Sequence, residues 1–494
     1  MSSAPPALRG RIVSGMRWTL WLSVLTVPFS YGTSVLLART SPEVIGTYGL
    51  LMVYIGVVAS LFYFGGDSII IKFVPELSAE RRLSFLASYL LVILAFVVSC
   101  LGFTALWPKS LQYLFGDRGG VAFQLLILCL SPLYILFSLV LAAHKAVLEM
   151  RWAQMLARVL TVGSFLCYAV LYVGNHNLLE THYTGLIWSV YLGLTALATV
   201  IGLKHLVQLP EWRCDWRQLR FFLPPGFWHY TLTTEQVSIT AFLIARLDFI
   251  LIMNLGGLEL LGKYVAVVTI ADILRTGNRF FCDTLFPSLT NVLASGNDRA
   301  GSQVFSMNLR LLFLVNLAGI CVLALFIDPI LALFGPHYTS LRSMFILMLL
   351  FGGLAGPGSI GGILLSSVGK QQRAFWVYLG QLVVFLALFF GLWPKWHLSG
   401  VVLATGLSSM ASSIAVLFVA KASSHLVFAA RRTYAAFVCF GAAAGFAAIY
   451  LKPFSLVSGA GIAVAVLGLF LWAGRYRMQE CKELLQCFLP GTSA

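Results

Sequence analysis

The chain has 494 residues, 59% of them hydrophobic and only 10% charged, with a mean hydropathy of +0.90. Soluble domains carry about 25% charged residues, so a water-soluble globular protein is excluded. Repeated apolar runs of about 20 residues define instead an all-α, polytopic integral membrane protein.

In chain order, Arg9, Arg11 and Arg17 precede a first apolar run over 18–38. A cleaved signal has an apolar core of roughly 7–15 residues. This run is longer, contains Pro28 and ends in LLARTSPE, so it reads as a permanent span. Thirteen more apolar segments follow, at 48–66, 84–107, 121–143, 155–174, 184–203, 228–253, 263–286, 306–334, 343–366, 374–393, 398–420, 434–450 and 454–473.

Cytoplasmic loops concentrate Lys and Arg. With the N-terminus inside, 22 of the 33 basic residues fall in inner segments or at the inner end of a span, 7 in outer segments or at an outer end, and 4 deeper within spans. Fourteen transmembrane helices with N-in/C-in orientation are therefore expected. The net charge of +15 becomes a topological signal, and nucleic acid is not an expected partner.

The longest polar connection, HLVQLPEWRCDWRQLRFFLPPGF over 205–227, mixes basic and aromatic residues like an amphipathic segment on the inner membrane surface. It divides the chain into an N-terminal lobe (1–204, six helices), a linker (205–227), a C-terminal lobe (228–425, six helices) and two extra helices with a tail (426–494). A faint repeat supports the division. IGTY at 45–48 and LGKY at 261–264 each open a span, and Pro75 and Pro287 follow at the inner ends. Such repeats are common in transporters, with the binding site between the halves.

The eighth span, GKYVAVVTIADILRTGNRFFCDTLF, carries Asp272, Arg275, Arg279 and Asp283, spaced three, four and four residues apart. At 100° per residue they share one narrow face, continued by Thr276. A charge at the bilayer centre costs about 2.5 kcal/mol or more, so this face must meet protein or water. Two readings stand. Asp272–Arg275 and Arg279–Asp283 are i,i+3 and i,i+4 pairs that can neutralise each other. Alternatively, the stripe lines a hydrated cavity in which arginine forks bind an anionic headgroup. The seventh span adds Glu235 and Arg246 on one face, with Asp248 pointing nearly the opposite way, toward a structural partner.

Other charges have plainer readings. Lys72 beside Asp67 is a snorkelling anchor, with Arg39 similar at the outer side, and Asp328 is a helix-end residue. Pro28, Pro132 and Pro357 interrupt spans one, four and ten, and the glycine-rich FGGLAGPGSIGGILLSSVGK is a candidate bending point or close-contact surface. The nine cysteines form no CxxC pair and no metal-like cluster. His176, His182 and His337 read as surface histidines of short outer segments. No glycine-rich nucleotide loop is present, so ATP is not the direct energy source. No cofactor, metal or catalytic residue is expected.

Several ordered segments carry a family resemblance: LLARTSPEVIGTYGLLMVYIGVVASLFYFGGDSIIIKFVPEL, ARLDFILIMNLGGLELLGKYVAVVTIADILR, LFPSLTNVLASG, ALFGPHYTSLRSMFILMLLFGGL, ILLSSVGKQQRAF and HLSGVVLATGLSSM. Over about residues 15–425 the chain resembles the polysaccharide/O-antigen (Wzx-type) flippases of the multidrug/oligosaccharidyl-lipid/polysaccharide (MOP) exporter superfamily. The resemblance implies two six-helix lobes around a central cavity. It also implies transfer of undecaprenyl-pyrophosphate-linked oligosaccharide from the inner to the outer leaflet of a bacterial inner membrane. Arg246, Arg275 and Arg279 match the family's cationic cavity. Asp272, Asp283 and Glu235 are then candidates for charge balance or ion coupling. Lipid-linked oligosaccharide and the bilayer are the implied partners, with a polysaccharide polymerase complex as a further one.

A membrane potential, inside negative, favours outward movement of an anion by about 2.3 kcal/mol per charge per 100 mV. Lipid II flippases of the same superfamily carry basic residues in the first span, whereas none stands between Trp18 and Ala38 here. The alternatives are a multidrug cation exporter, which would be expected to have an acidic cavity, and an O-antigen ligase or polymerase, expected to have a large outer loop. Neither feature is found in the sequence.

Overall fold

The computed structural model describes residues 25–64, 66–106, 121–147, 149–209, 220–294, 298–368, 370–424, 431–450 and 456–473, with Leu22, Trp212 and Leu426 besides. Among the described residues every regular element is helical, and a helix overlies each of the fourteen apolar segments. Nine helical runs there are long and apolar enough to cross a membrane, and two of them, Phe227–Asn278 and Gln371–Ser423, contain a break. The chain divides into two compact units, Met1–Ala266 and Val267–Ala494.

In the first unit, α1 (25–40) passes directly into α2 (Pro42–Val57). The junction is chemically specified: Val44 N–H donates to Ser41 Oγ at 3.3 Å, Pro42 opens the helix and Glu43 lies in its first turn. The second apolar segment is not one helix. α2 continues into a π-helical turn (Val58–Phe62), the backbone leaves helical geometry at Phe64 (φ 44) and Gly66 (φ 60), and α3 (Asp67–Glu76) restarts. A break in apolar surroundings frees carbonyls that need donors. Tyr89, from α4 (Ala79–Leu106), supplies them, its hydroxyl donating to Tyr63 O at 2.7 Å and Phe64 O at 2.9 Å. Arg82 does the same at the far end of α3, donating from Nε to Val74 O and Leu77 O, both at 3.1 Å.

Next come α5 (Val121–Ala146), α6 (Met150–Gly174), a short α7 (His176–Thr181) and α8 (Tyr183–Gln208). Lys145 of α5 pairs with Asp67 of α3, and Ser131 of α5 hydrogen-bonds Tyr54 of α2. Buried His144 bonds Val140 O and reaches His205 of α8 at 3.1 Å, which in turn stacks on Trp152 of α6. Of the expected amphipathic linker, 210, 211 and 213–219 lie outside the described residues. Its end crosses α4, where Phe222 N–H donates to Ser88 Oγ at 2.8 Å. Lys72 is exposed, with its ammonium 3.9 Å from the Tyr230 ring centroid.

The 68-residue run Phe227–Ala294 is two helices, α9 (227–256) and α10 (258–294), meeting at Gly257. Its φ of 78 and ψ of −177 lie in a region open essentially to glycine alone. Across the break Tyr264 donates to Asp248 Oδ2 at 2.5 Å, so Asp248 has a structural partner in a tyrosine hydroxyl. The IGTY and LGKY segments pack against each other through their glycines. A Cβ on Gly46 would stand 2.6 Å from Leu258 O, and one on Gly262 would overlap Pro42 O outright. Each glycine thus faces the carbonyl four residues before the other, a reciprocal backbone contact that only glycine permits.

The second unit holds the rest of α10, then α11 (Asp298–Leu325) and a short α12 (Ile327–Phe334). The ninth apolar segment, expected as one span, is therefore interrupted at Phe326. Asp328 lies in the first turn of α12 and accepts from Arg342 Nε at 2.8 Å. After a 3-10 turn come α13 (Arg342–Ser367), α14 (371–396) and α15 (398–423), the last two separated at His397 (φ 41, ψ −121). Lys370 Nζ and Arg373 Nη1 bind Ser423 at 2.6 and 2.7 Å, closing that hairpin at its ends. The extra helices α16 (Arg431–Tyr450) and α17 (Leu456–Ala473) pack on α11, with the Phe437 ring tilted against that of Phe313, centroids 5.0 Å apart.

Gly262→Ala should lower the thermal stability of the detergent-solubilised protein by about 1–3 kcal/mol, the usual range for overpacking. The clash is with backbone, which cannot rotate away. Alanine at Gly102, which has open space around it, should leave the melting temperature unchanged. Equal melting temperatures for the two variants would show that the glycine contact is not close-packed.

Candidate functional site

Polar side chains gather at one cavity of about 260 Å³ in the second unit. α10 contributes Arg275, Asn278 and Cys282; α13 contributes Met348, Phe351, Gly352, Ala355, Gly356 and Ser359; α15 contributes Thr405, Gly406 and Ser409. The space exists because α13 is locally stripped of side chains. Gly352 and Gly356, one turn apart, face α10 opposite Ala271 and Asn278, while Gly353, Gly358 and Gly361 meet Ile320, Ser413 and Val416 on other faces. Pro357 lacks the N–H that would bond the Gly353 carbonyl, which loosens the helix beside the cavity. The Phe351 ring lies flat against the backbone at Gly406, where any side chain would overlap it.

In the α10 stripe, Arg275 both pairs within its helix and lines the cavity. Arg275 Nη1 donates to Asp272 Oδ1 at 3.0 Å, so the first pair is made within the helix. Both side chains are 38% exposed and Arg275 lines the cavity, so pairing has not sealed the charge away. Thr276 folds back on the helix, its hydroxyl donating to Asp272 O at 2.8 Å. The side chains of Arg279 and Asp283 lie outside the described residues.

Glu235 and Arg246 belong to the first unit. Glu235 is buried on the same face of α9 as the fully buried Thr231, and Arg246 is half-buried with its guanidinium 5.0 Å from the Phe249 ring centroid. Sequence reasoning overlooked Asn278 and Asn316. These are amides in apolar spans, and their appearance in RTGNRF and FLVNLAG was the available signal. Both are buried, and Asn316 Nδ2 donates to Asn278 Oδ1 at 2.9 Å and to Leu312 O at 3.0 Å.

The fold is similar to those of a lipid II flippase and of multidrug transporters of known structure. No protein-family model matches the chain and no curated protein matches it in sequence. Among solved structures, it is similar to the lipid II flippase MurJ in an inward closed conformation. That match has a TM-score of 0.68 and 14% identity, covering 92% of this chain and 97% of that one. It is also similar to an inward-facing MATE multidrug resistance transporter of the MOP superfamily, with a TM-score of 0.66 and 12% identity over 83% of this chain and 98% of that one. A MATE structure in complex with MaL6 follows at TM-score 0.59 and 12% identity, covering 84% and 95%. A multi-pass, all-helical membrane architecture is thereby established, and at such identities the likeness speaks for the fold.

Cys282 supplies a direct probe of the cavity. In variants that retain one cysteine each, a charged methanethiosulfonate should modify Cys282, which lines the cavity, and spare the buried Cys321. Equal protection of both thiols would mean that the cavity is dry.

Proposed function

We propose that this protein is a flippase. It carries an undecaprenyl-pyrophosphate-linked oligosaccharide, an O-antigen or exopolysaccharide repeat unit, from the inner to the outer leaflet of a bacterial inner membrane. The observation that carries this reading is a cavity walled by helices of a transporter-like fold, containing a part-exposed arginine, Arg275, paired with Asp272, together with amide and hydroxyl groups. Such a lining offers a polar path to a charged headgroup, while the lipid tail stays in hydrocarbon. The Asp272 carboxylate beside Arg275 weakens the hold on an anion, which permits release. The resemblance in sequence to polysaccharide flippases and the structural similarity to a lipid II flippase and to multidrug transporters support a carrier rather than an enzyme.

In this reading the fourteen helices all cross, with both ends cytoplasmic. The functional lobes are 1–204 and 228–425, joined by the 205–227 linker, and 426–494 is accessory. Arg246, Arg275 and Arg279 are the residues proposed to contact the headgroup, and Asp272, Asp283 and Glu235 those proposed to balance charge or couple to an ion. The reciprocal Gly46–Gly262 contact lies at the outer ends of its two spans, so it is the contact that must part for outward release. The partners are the lipid-linked oligosaccharide, the bilayer and a polysaccharide polymerase complex.

The test is the leaflet distribution of lipid-linked oligosaccharide in a deletion strain. Wild type should restore export. Arg275→Ala should reduce it by roughly tenfold to a hundredfold at equal membrane abundance, as expected for loss of one charge-assisted contact. If the deletion strain already holds its lipid-linked pool in the outer leaflet, the flippase reading is wrong. Resistance to organic cations, absent from the deletion strain and restored by wild type, would replace it with a multidrug exporter.

A further inference from the structure

The chemistry of the cavity wall can be read further than its charge, because the direction of one amide is fixed. The Leu312 carbonyl can only accept, so the group that Asn316 turns toward it at 3.0 Å must be its NH2. That same nitrogen lies 2.9 Å from Asn278, so the atom Asn278 turns toward Asn316 must be its oxygen. The NH2 of Asn278 therefore points the other way, toward the cavity that Asn278 lines. Among the described residues it donates to nothing.

The arrangement is held from the opposite wall. A Cβ at Gly356 would stand 2.5 Å from Asn278 Nδ2 and 2.8 Å from Asn316 Nδ2, so the amide pair fits only because residue 356 is glycine. Asn278 and Asn316 are only 6% and 1% exposed. Rotating Asn278 would set NH2 against NH2, and rotating Asn316 would set its oxygen against the Asn278 and Leu312 oxygens, in surroundings where an unmade hydrogen bond is expensive. One turn earlier on α10, Arg275 also lines the cavity.

Resting on the carrier reading above, we propose that Asn278, oriented by Asn316, is a specificity-determining residue that makes this cavity a receptor for phosphate oxygens. A relay running from the Leu312 carbonyl through two amides presents hydrogen-bond donors beside a guanidinium. An oxyanion, which only accepts, satisfies both. An organic cation offers neither an acceptor nor relief from the arginine, so the wall also disfavours the cargo of a cation exporter. The chemistry is that of a diphosphate, whether free or at the head of a lipid.

The full-length protein in detergent can be titrated with inorganic pyrophosphate, with farnesyl diphosphate and with tetraphenylphosphonium, reading thermal shift and calorimetry. Wild type should bind a diphosphate and not the cation. Equal binding of the two diphosphates identifies the anion alone as the ligand, and a preference for the farnesyl ester identifies a lipid headgroup. Asn316→Asp offers Asn278 only an acceptor, which turns the Asn278 NH2 away from the cavity and its oxygen inward. Diphosphate binding should fall by roughly tenfold to a hundredfold. Asn316→Gln, which keeps a donor, should retain part of the binding.

Should Asn316→Asp fail to fold, Asn278→Asp, which changes the group facing the cavity, provides the same comparison. Unchanged diphosphate affinity in a folded Asn316→Asp or Asn278→Asp protein overturns the proposal, and so does wild-type binding of tetraphenylphosphonium in preference to diphosphate. The two readings fail separately. A wild type blind to diphosphate in a strain whose lipid-linked pool is still trapped inside removes the donor wall alone. Diphosphate binding with no leaflet defect on deletion removes the flippase alone.

Discussion

A helix in hydrocarbon has no water to bond any backbone group it leaves open, and the breaks in this chain are organised by that constraint. The second apolar segment breaks between α2 and α3, and Tyr89 and Arg82 from α4 donate to four carbonyls around the gap and the helix end. At Gly257 the backbone turns through a conformation closed to other residues, and the Tyr264–Asp248 bond ties the two helices back together. The break between α2 and α3 is thus paired with donors from a neighbouring helix, and the one at Gly257 with a side-chain bond across it. The irregular backbone and the tertiary contacts are one design.

Glycine performs two different tasks against this background. At Gly46 and Gly262 it removes side chains so that two helices touch through their backbones, each glycine against a carbonyl of the other segment. At Gly352 and Gly356 it removes side chains so that nothing fills the space, and a cavity remains beside α10. The same small-residue spacing gives close packing or a vacancy according to what stands opposite. Opposite Gly356 stands a pair of buried amides that could not be accommodated otherwise.

The electrostatics of the cavity follow from partial compensation. Asp272 takes one face of the Arg275 guanidinium but leaves both side chains part-exposed, so the arginine remains a recognisable charge without being an isolated one. Asn278 adds donors without adding charge. In the flippase reading proposed above such a balance has a use, since a fully cationic wall would hold an anion too tightly to release it. The amide relay also gives the wall a direction. Its polarity is set by a backbone carbonyl in α11, several residues away from the ligand space.

Composition and periodicity by themselves determined the class of this protein. An apolar run of membrane length has few alternatives to helix, and helices stand at all fourteen segments for that reason. The α10 charge stripe was equally legible, because helical geometry places residues three and four apart on one face, and Asp272 and Arg275 are indeed joined. The interruptions at 63–66 and Phe326 were not, since hydropathy averages over a broken helix as readily as over a straight one.

Only the tertiary structure revealed that IGTY and LGKY touch, that Asp248 accepts from a tyrosine hydroxyl, and that Asn278 faces a cavity with its nitrogen. The physical reason is common to all three. Local periodicity fixes which side of its own helix a residue occupies, whereas the atom that meets it, and hence whether it donates, accepts or packs, belongs to a segment distant in the chain.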